Sequence, residues 1–187
     1  MTFLSGIGLI VLRTVAGLLL GLFVLRVLLP LSGARFRNPI CQLIYQLTNP
    51  LLVPMTRLLP NWRGLSVAGA VLAWLLAVLV NALVLLLLDS AVTLPLMLWL
   101  GTATLVQFVL MLYFWTIIVY ALLSFFSPDP RHPLVELLAV LAIPVLRPFR
   151  RLPPQLPGID LSPLWALLAL RLLQYTLAYI GFGSTLF

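Results

Sequence analysis

The chain has 187 residues, 63% of them hydrophobic and 8% charged, and its net charge of +7 comes from 11 arginines and no lysine. A soluble domain carries about 25% charged residues, so there is too little polar side chain to cover a water-facing surface, and a soluble globular fold is excluded. The basic residues form no long run and are not interleaved with aromatics on a polar face, which excludes a nucleic-acid site and leaves anionic lipid headgroups as the counterpart.

Residues 3–29 are apolar apart from Arg13 and Arg26. A spanning helix needs about 20 such residues, so this is the first expected span. It is too long for a signal peptide, and no small-residue cleavage site follows. Pro30, Ser32 and Gly33 end it.

A proline-rich connector follows, FRNPICQLIYQLTNPLLVPMTRLLP over 36–60. Asn38 is suited to cap a helix and Pro39 to its first turn. Gln42, Gln46 and Asn49 share one face of a short amphipathic helix, and Asn49-Pro50 is expected to break it. A second short segment, 51–59, carries Arg57 and closes at Pro60. The single cysteine, Cys41, has no partner for an internal disulfide.

The second span is expected at about 65–88, with Asn81 as its strongly polar interior residue, and the third at about 96–126, with Gln107. A second connector then reads RHPLVELLAVLAIPVLRPFRRLPP over 131–154. Pro39, Pro50, Pro54 and Pro60 recur as Pro133, Pro144, Pro148 and Pro154, each 94 positions later, and Arg37 and Arg57 recur as Arg131 and Arg151. That shared register marks an internal duplication, with repeats at 1–94 and 95–187. The second short helix is apolar nearly all round, which suits dipping into the membrane or packing under the first repeat. The fourth span is expected at about 162–182, with Arg171 and Gln174 inside it. Trp62, Trp99 and Trp165, near span ends, suit interface anchors.

The fold class expected is therefore an all-α membrane protein: four transmembrane helices as two parallel helical-hairpin repeats, with short proline-bounded interfacial helices in each connector. Eight of the 11 arginines lie in the two connectors. By the positive-inside rule the connectors face the cytoplasm and both termini the periplasm. Two spans per repeat start both copies on the same side, unlike the inverted repeats of many transporters.

The spaced element N-P, T-x-P, P-x-R, L-P, built on Asn38, Pro39, Thr48, Pro50, Pro54 and Pro60 and repeated at Pro133, Pro144, Pro148 and Pro154, resembles the doubled signature of the YggT family of small bacterial membrane proteins. The second copy departs from it, with His132 for Asn38 and Ala142-Ile143 for Thr48-Asn49. The resemblance implies a bacterial inner-membrane protein with no established catalytic activity. It also implies an association with osmotic stress and ion homeostasis, and with cell division or cytochrome and thylakoid assembly in related proteins.

Ionisable residues within a span cost about 2.5–3.5 kcal/mol each on insertion scales and stand as functional candidates. Arg26, near the cytoplasmic end, is expected to snorkel. Arg13, Asn81, Gln107, Arg171 and Gln174 fall at comparable depth and define a candidate polar layer facing an anion, a lipid phosphate or a partner's carboxylate. Its alternative role is interhelical hydrogen bonding that holds the helices together. Arg57, Arg147, Arg150 and Arg151 form a candidate basic cluster for anionic lipid or an acidic partner, or serve orientation alone. His132 has neither Cys nor a second His for a metal site, and no phosphate loop or nucleophile elbow is present. No enzyme activity, cofactor or metal is expected. The reading is a membrane scaffold or assembly factor that holds another membrane or division protein, with a channel or transport component as the alternative. Self-association is also expected, with Gly17 and Gly21 as the candidate contact.

Overall fold

The computed structural model describes residues 3–34, 37–57, 59, 65–87, 93–126, 129, 132–151 and 160–179. Among them the chain is all-helical: α1 (Phe3–Leu31), α2 (Pro39–Thr56), α3 (Val67–Leu87), α4 (Leu94–Phe125), α5 (Pro133–Leu146) and α6 (Ser162–Leu177), with a 3-10 turn at Phe149–Arg151. Three stretches are long and apolar enough to cross a membrane: Gly6–Leu31, Val67–Leu87 and Leu94–Ser124. The fourth expected span starts at Ser162 as read; its described helix has 16 residues, and 180–182 lie outside the described residues. Trp62, Arg63, Arg35, Arg131, Pro60 and Pro154 also lie outside them.

The helix starts repeat at the same 94-residue interval. Asn38 is extended (φ −73°, ψ 123°) and its Oδ1 accepts from Ile40 N at 2.9 Å. His132 takes nearly the same backbone (φ −64°, ψ 127°), and its Nδ1 accepts from Leu134 N at 3.3 Å. Each is followed by a proline at the first helical position, where the missing N–H is no loss. Likewise Ser66 Oγ accepts from Gly69 N at 3.3 Å before α3, and Asp160 Oδ1 from Ser162 N at 2.9 Å before α6. In each case a side-chain oxygen or nitrogen satisfies an orphan amide of a helix start.

The proline breaks expected inside the short helices fail. The first connector does not break at Asn49-Pro50: α2 is a single helix of 18 residues with Pro50 and Pro54 inside it, and α5 likewise runs through Pro144. Proline removes one backbone bond and crowds the carbonyl four residues back. Pro50 and Pro54, one turn apart, both lie on the exposed face of α2, so the lost bonds fall there. The opposite face carries buried Cys41, Ile44, Thr48 and Leu52 and keeps the helix intact by packing on α1 and α3. The short helices are thus begun by proline but not ended by it.

α1, α3, α4 and α6 lie side by side in a row in that order. α2 fits against α1 and α3; α5 fits against α4 and α6 and reaches across to α2 and α1. Among the described residues α6 touches α4, α5 and the 3-10 turn, and neither α1 nor α3. One core, which includes Leu20, Phe23, Val24, Ala73 and Ala77, fills the α1–α3 side. A second, with Leu29, Cys41, Ile44, Leu137 and Leu141, joins the two short helices beneath α1. α3 and α4 approach closely at Gly101, where an added Cβ would collide with Val78 Cγ2 and lie 3.0 Å from its Cα. Gly21 faces Phe108 of the chain's own α4 at an ordinary 3.5 Å, so that position is taken up within the chain.

Candidate functional site

The five polar residues expected in one layer separate into three places. Asn81, 3% exposed, is closed off: its Nδ2 donates to Ala77 O at 2.8 Å and to Thr104 Oγ1 at 2.9 Å. This is interhelical bonding between α3 and α4, worth about 0.6 kcal/mol on average in membranes. Arg13 is exposed on α1, at the far end of the row from α6. Gln107, Arg171 and Gln174 do come together, because α4 and α6 pack side by side.

These three line two adjoining hollows between α4 and α6, of about 460 and 230 Å³. The remaining wall is apolar and aromatic, with Phe114 and Trp115 on one side and Leu168 and Tyr175 on the other. The Arg171 guanidinium lies over the Phe114 ring, 4.2 Å from its centroid, a cation–π contact. Arg171 itself is exposed to the hollow, and among the described residues no carboxylate pairs with it. At 1.5 Å per residue, Gln107 lies about 20 Å from the start of α4 and Trp115 about 15 Å from its end. The groove is therefore in the interior of the helical span. Its chemistry is that of a cation flanked by two amides, suited to holding an oxyanion.

The basic cluster is divided as well. Arg147 caps α5, and Arg150 and Arg151 occupy the 3-10 turn. Arg150 Nε lies 3.5 Å from Asp160 Oδ2, so the turn is tied to the residue that starts α6. For the Asp160 carboxyl, partial burial raises the pKa; the Ser162 bonds and the Arg150 charge outweigh this and leave it below the usual carboxylate range. Arg57 sits apart, at the C-terminal end of α2, where its charge suits the helix dipole.

Two polar arrangements were not foreseen from sequence. Arg26 does not snorkel: its guanidinium lies 3.3 Å from the Tyr45 ring centroid, and Nη2 donates to Asn49 Oδ1 at 3.2 Å. Its Nη1 is buried without a hydrogen-bond partner. The signal for this pairing was in the duplication. Ninety-four residues on, Arg26, Tyr45 and Asn49 are replaced by Tyr120, Ala139 and Ile143, so cation, ring and acceptor leave together. Tyr120 packs instead on the apolar cluster of Ile117, Ala142, Leu146 and Ala166. The second arrangement is a clasp between repeats: Asn38 Nδ2 donates to Pro133 O at 2.7 Å and to Glu136 Oε2 at 3.2 Å. Among the described residues no three His, Cys, Asp or Glu side chains gather as metal ligands do.

Long apolar helices, short helices capped alike at each repeat and a register of 94 residues define a small membrane-helix protein made of two tandem helical units. The family profile described as CCB3/YggT matches residues 6–87 and 99–181, one segment in each half of the chain. The chain belongs to the CCB3/YggT family. It is 36% identical over 166 residues to the uncharacterized protein PA0392 of Pseudomonas aeruginosa, covering 88% of this chain and 84% of that one. It is 32% identical over 170 residues to the uncharacterized protein YggT of Escherichia coli strain K12, covering 90% and 88%. No solved structure matches the chain.

Proposed function

We propose that this protein is a non-enzymatic scaffold or assembly factor of the bacterial inner membrane, linked to envelope or osmotic-stress homeostasis. In this reading α6 is the fourth crossing, the connectors face the cytoplasm and both termini the periplasm. The observation that carries it is the row of helices. An open row leaves long flanks uncovered: Leu164, Leu168 and Leu172 on α6 are 61%, 51% and 60% exposed, as are Ile10 and Leu18 on α1 at 67% and 68%. Such flanks offer surface to neighbours in the bilayer. The basic turn Arg147–Arg151 adds a charged contact on the connector side.

A channel within one chain is disfavoured by the same geometry. The space between α1, α3 and α4 is lined by Val24, Val27, Leu28, Ala70, Ala73, Leu105 and Val109, with no polar group. An ion crossing there would lose its hydration without replacement.

The test is crosslinking of the full-length protein in native membranes, with neighbours quantified by mass spectrometry. The triple variant Arg147→Gln, Arg150→Gln, Arg151→Gln is expected to lose specific membrane neighbours at least about tenfold, a free-energy change of about 1.4 kcal/mol. Ion flux through liposomes holding the pure protein alone, with an unchanged set of neighbours in the triple variant, would overturn the reading.

A further inference from the structure

We propose that the groove between α4 and α6 receives a transmembrane helix of a different protein, one that carries an aspartate or glutamate within the bilayer to pair with Arg171. The inference rests on the scaffold reading and names the chemistry of its partner.

Charge complementarity carries the argument. Arg171 is a cation in the interior of the helical layer, and insertion of such a group costs about 2.5–3.5 kcal/mol unless it is compensated. Phe114 offers a ring face, and Gln107 and Gln174 stand in the same wall, but among the described residues no carboxylate does. The described residues of a second copy of this chain place none within the four helices of the row. Its four acidic residues are Asp89, Asp129, Glu136 and Asp160. Asp89 lies outside the described residues; Asp129 follows α4, Glu136 is in the first turn of α5 and Asp160 precedes α6, so none of these three is within α1, α3, α4 or α6. A lipid phosphate is the competing occupant that the vesicle test separates; Gln107 and Trp115 are about 20 and 15 Å from the two ends of α4, and Arg171 is about 9 Å from the end of α6 at Leu177. A carboxylate on a helix is naturally at that depth. The groove also has the form such an occupant needs: it follows two packed helices, and its aromatic wall at Phe114, Trp115 and Tyr175 suits a helix's side chains.

The duplication supports a specific role. At the position equivalent to Gln107 the first repeat has Arg13, and at those equivalent to Arg171 and Gln174 it has Ala77 and Val80, both buried against α1. In the first repeat the α3 side of this interface is small, apolar and buried, and the polar residue, Arg13, lies exposed on α1. In the second the α6 side carries Arg171 and Gln174, which share the hollows with Gln107.

The test uses three dansyl-labelled leucine–alanine transmembrane peptides, alike except for Glu, Gln or Leu at the central position. They are mixed with the full-length protein in phosphatidylcholine vesicles, and energy transfer from the native tryptophans, Trp115 among them, reports association. The Glu peptide is expected to associate at least about tenfold more tightly than the Gln and Leu peptides. Arg171→Gln is expected to abolish that preference and Arg171→Lys to keep part of it. Equal association of the three peptides with the wild-type protein overturns the proposal without reference to any variant. So does a Glu preference that survives in Arg171→Gln. Loss of the preference when phosphatidylglycerol is added assigns the groove to a lipid phosphate and overturns it too. Failure here with loss of neighbours still seen in the connector triple variant rejects this partner chemistry and leaves the scaffold reading standing.

Discussion

Cys41 shows how little a residue type says without its surroundings. The thiol is 2% exposed, in the core shared by α1, α2 and α5. Burial, and after it the charge of Glu136, pushes its pKa up. The thiolate is the nucleophile, so the thiol is expected to resist maleimide at pH 7–8 in the folded protein and to react at least about tenfold faster once denatured. Glu136→Gln removes the like charge, lowers the thiol toward its ordinary value and should raise labelling of the folded form; stoichiometric labelling of the wild-type protein at pH 7 would refute this. The sequence showed a lone cysteine without a disulfide partner, and its inertness follows only from the packing. The same holds for Arg26. Its place near a helix end suggested an escape to water, yet α2 brings Tyr45 and Asn49 to it instead.

Among the elements, the short helices carry the contact between repeats. Asn38 and His132 do the same capping work, but only Asn38 also reaches across, to Pro133 and Glu136. Loss of a cap costs about 1 kcal/mol. Asn38→Ala is therefore expected to destabilise by about 1–2 kcal/mol more than His132→Ala, since two further hydrogen bonds are lost. Asn38→Asp separates the roles, keeping the cap oxygen while losing the donor to Glu136. Equal melting shifts for the two alanine variants, measured in detergent, would show that the clasp contributes nothing. The caps were legible beforehand because Asn-Pro and His-Pro act locally. The persistence of α2 through Pro50 and Pro54 was not, because it depends on which face of the helix is packed.

At the scale of the whole molecule, the orientation rests on eight arginines in two connectors. If the connectors face the cytoplasm, alkaline phosphatase fused at the C-terminus should be active and green fluorescent protein fused there dark; the reverse pattern would reject the proposed sidedness. The order of residues along the chain determined membrane character, the doubled register and the starts of the short helices, because hydropathy over about 20 residues, a fixed interval of 94 and the chemistry of caps can each be read along the sequence. Depth was also readable, since rise along a helix is constant. What depth could not reveal was which way each side chain faces and which helix lies beside it. Arg13, Asn81 and Arg171 were assigned to one layer, and the row α1–α3–α4–α6 sends the first outward, seals the second against Thr104 and places the third in an open groove. That division is set by contacts between helices far apart in the chain, and only the tertiary structure contains them.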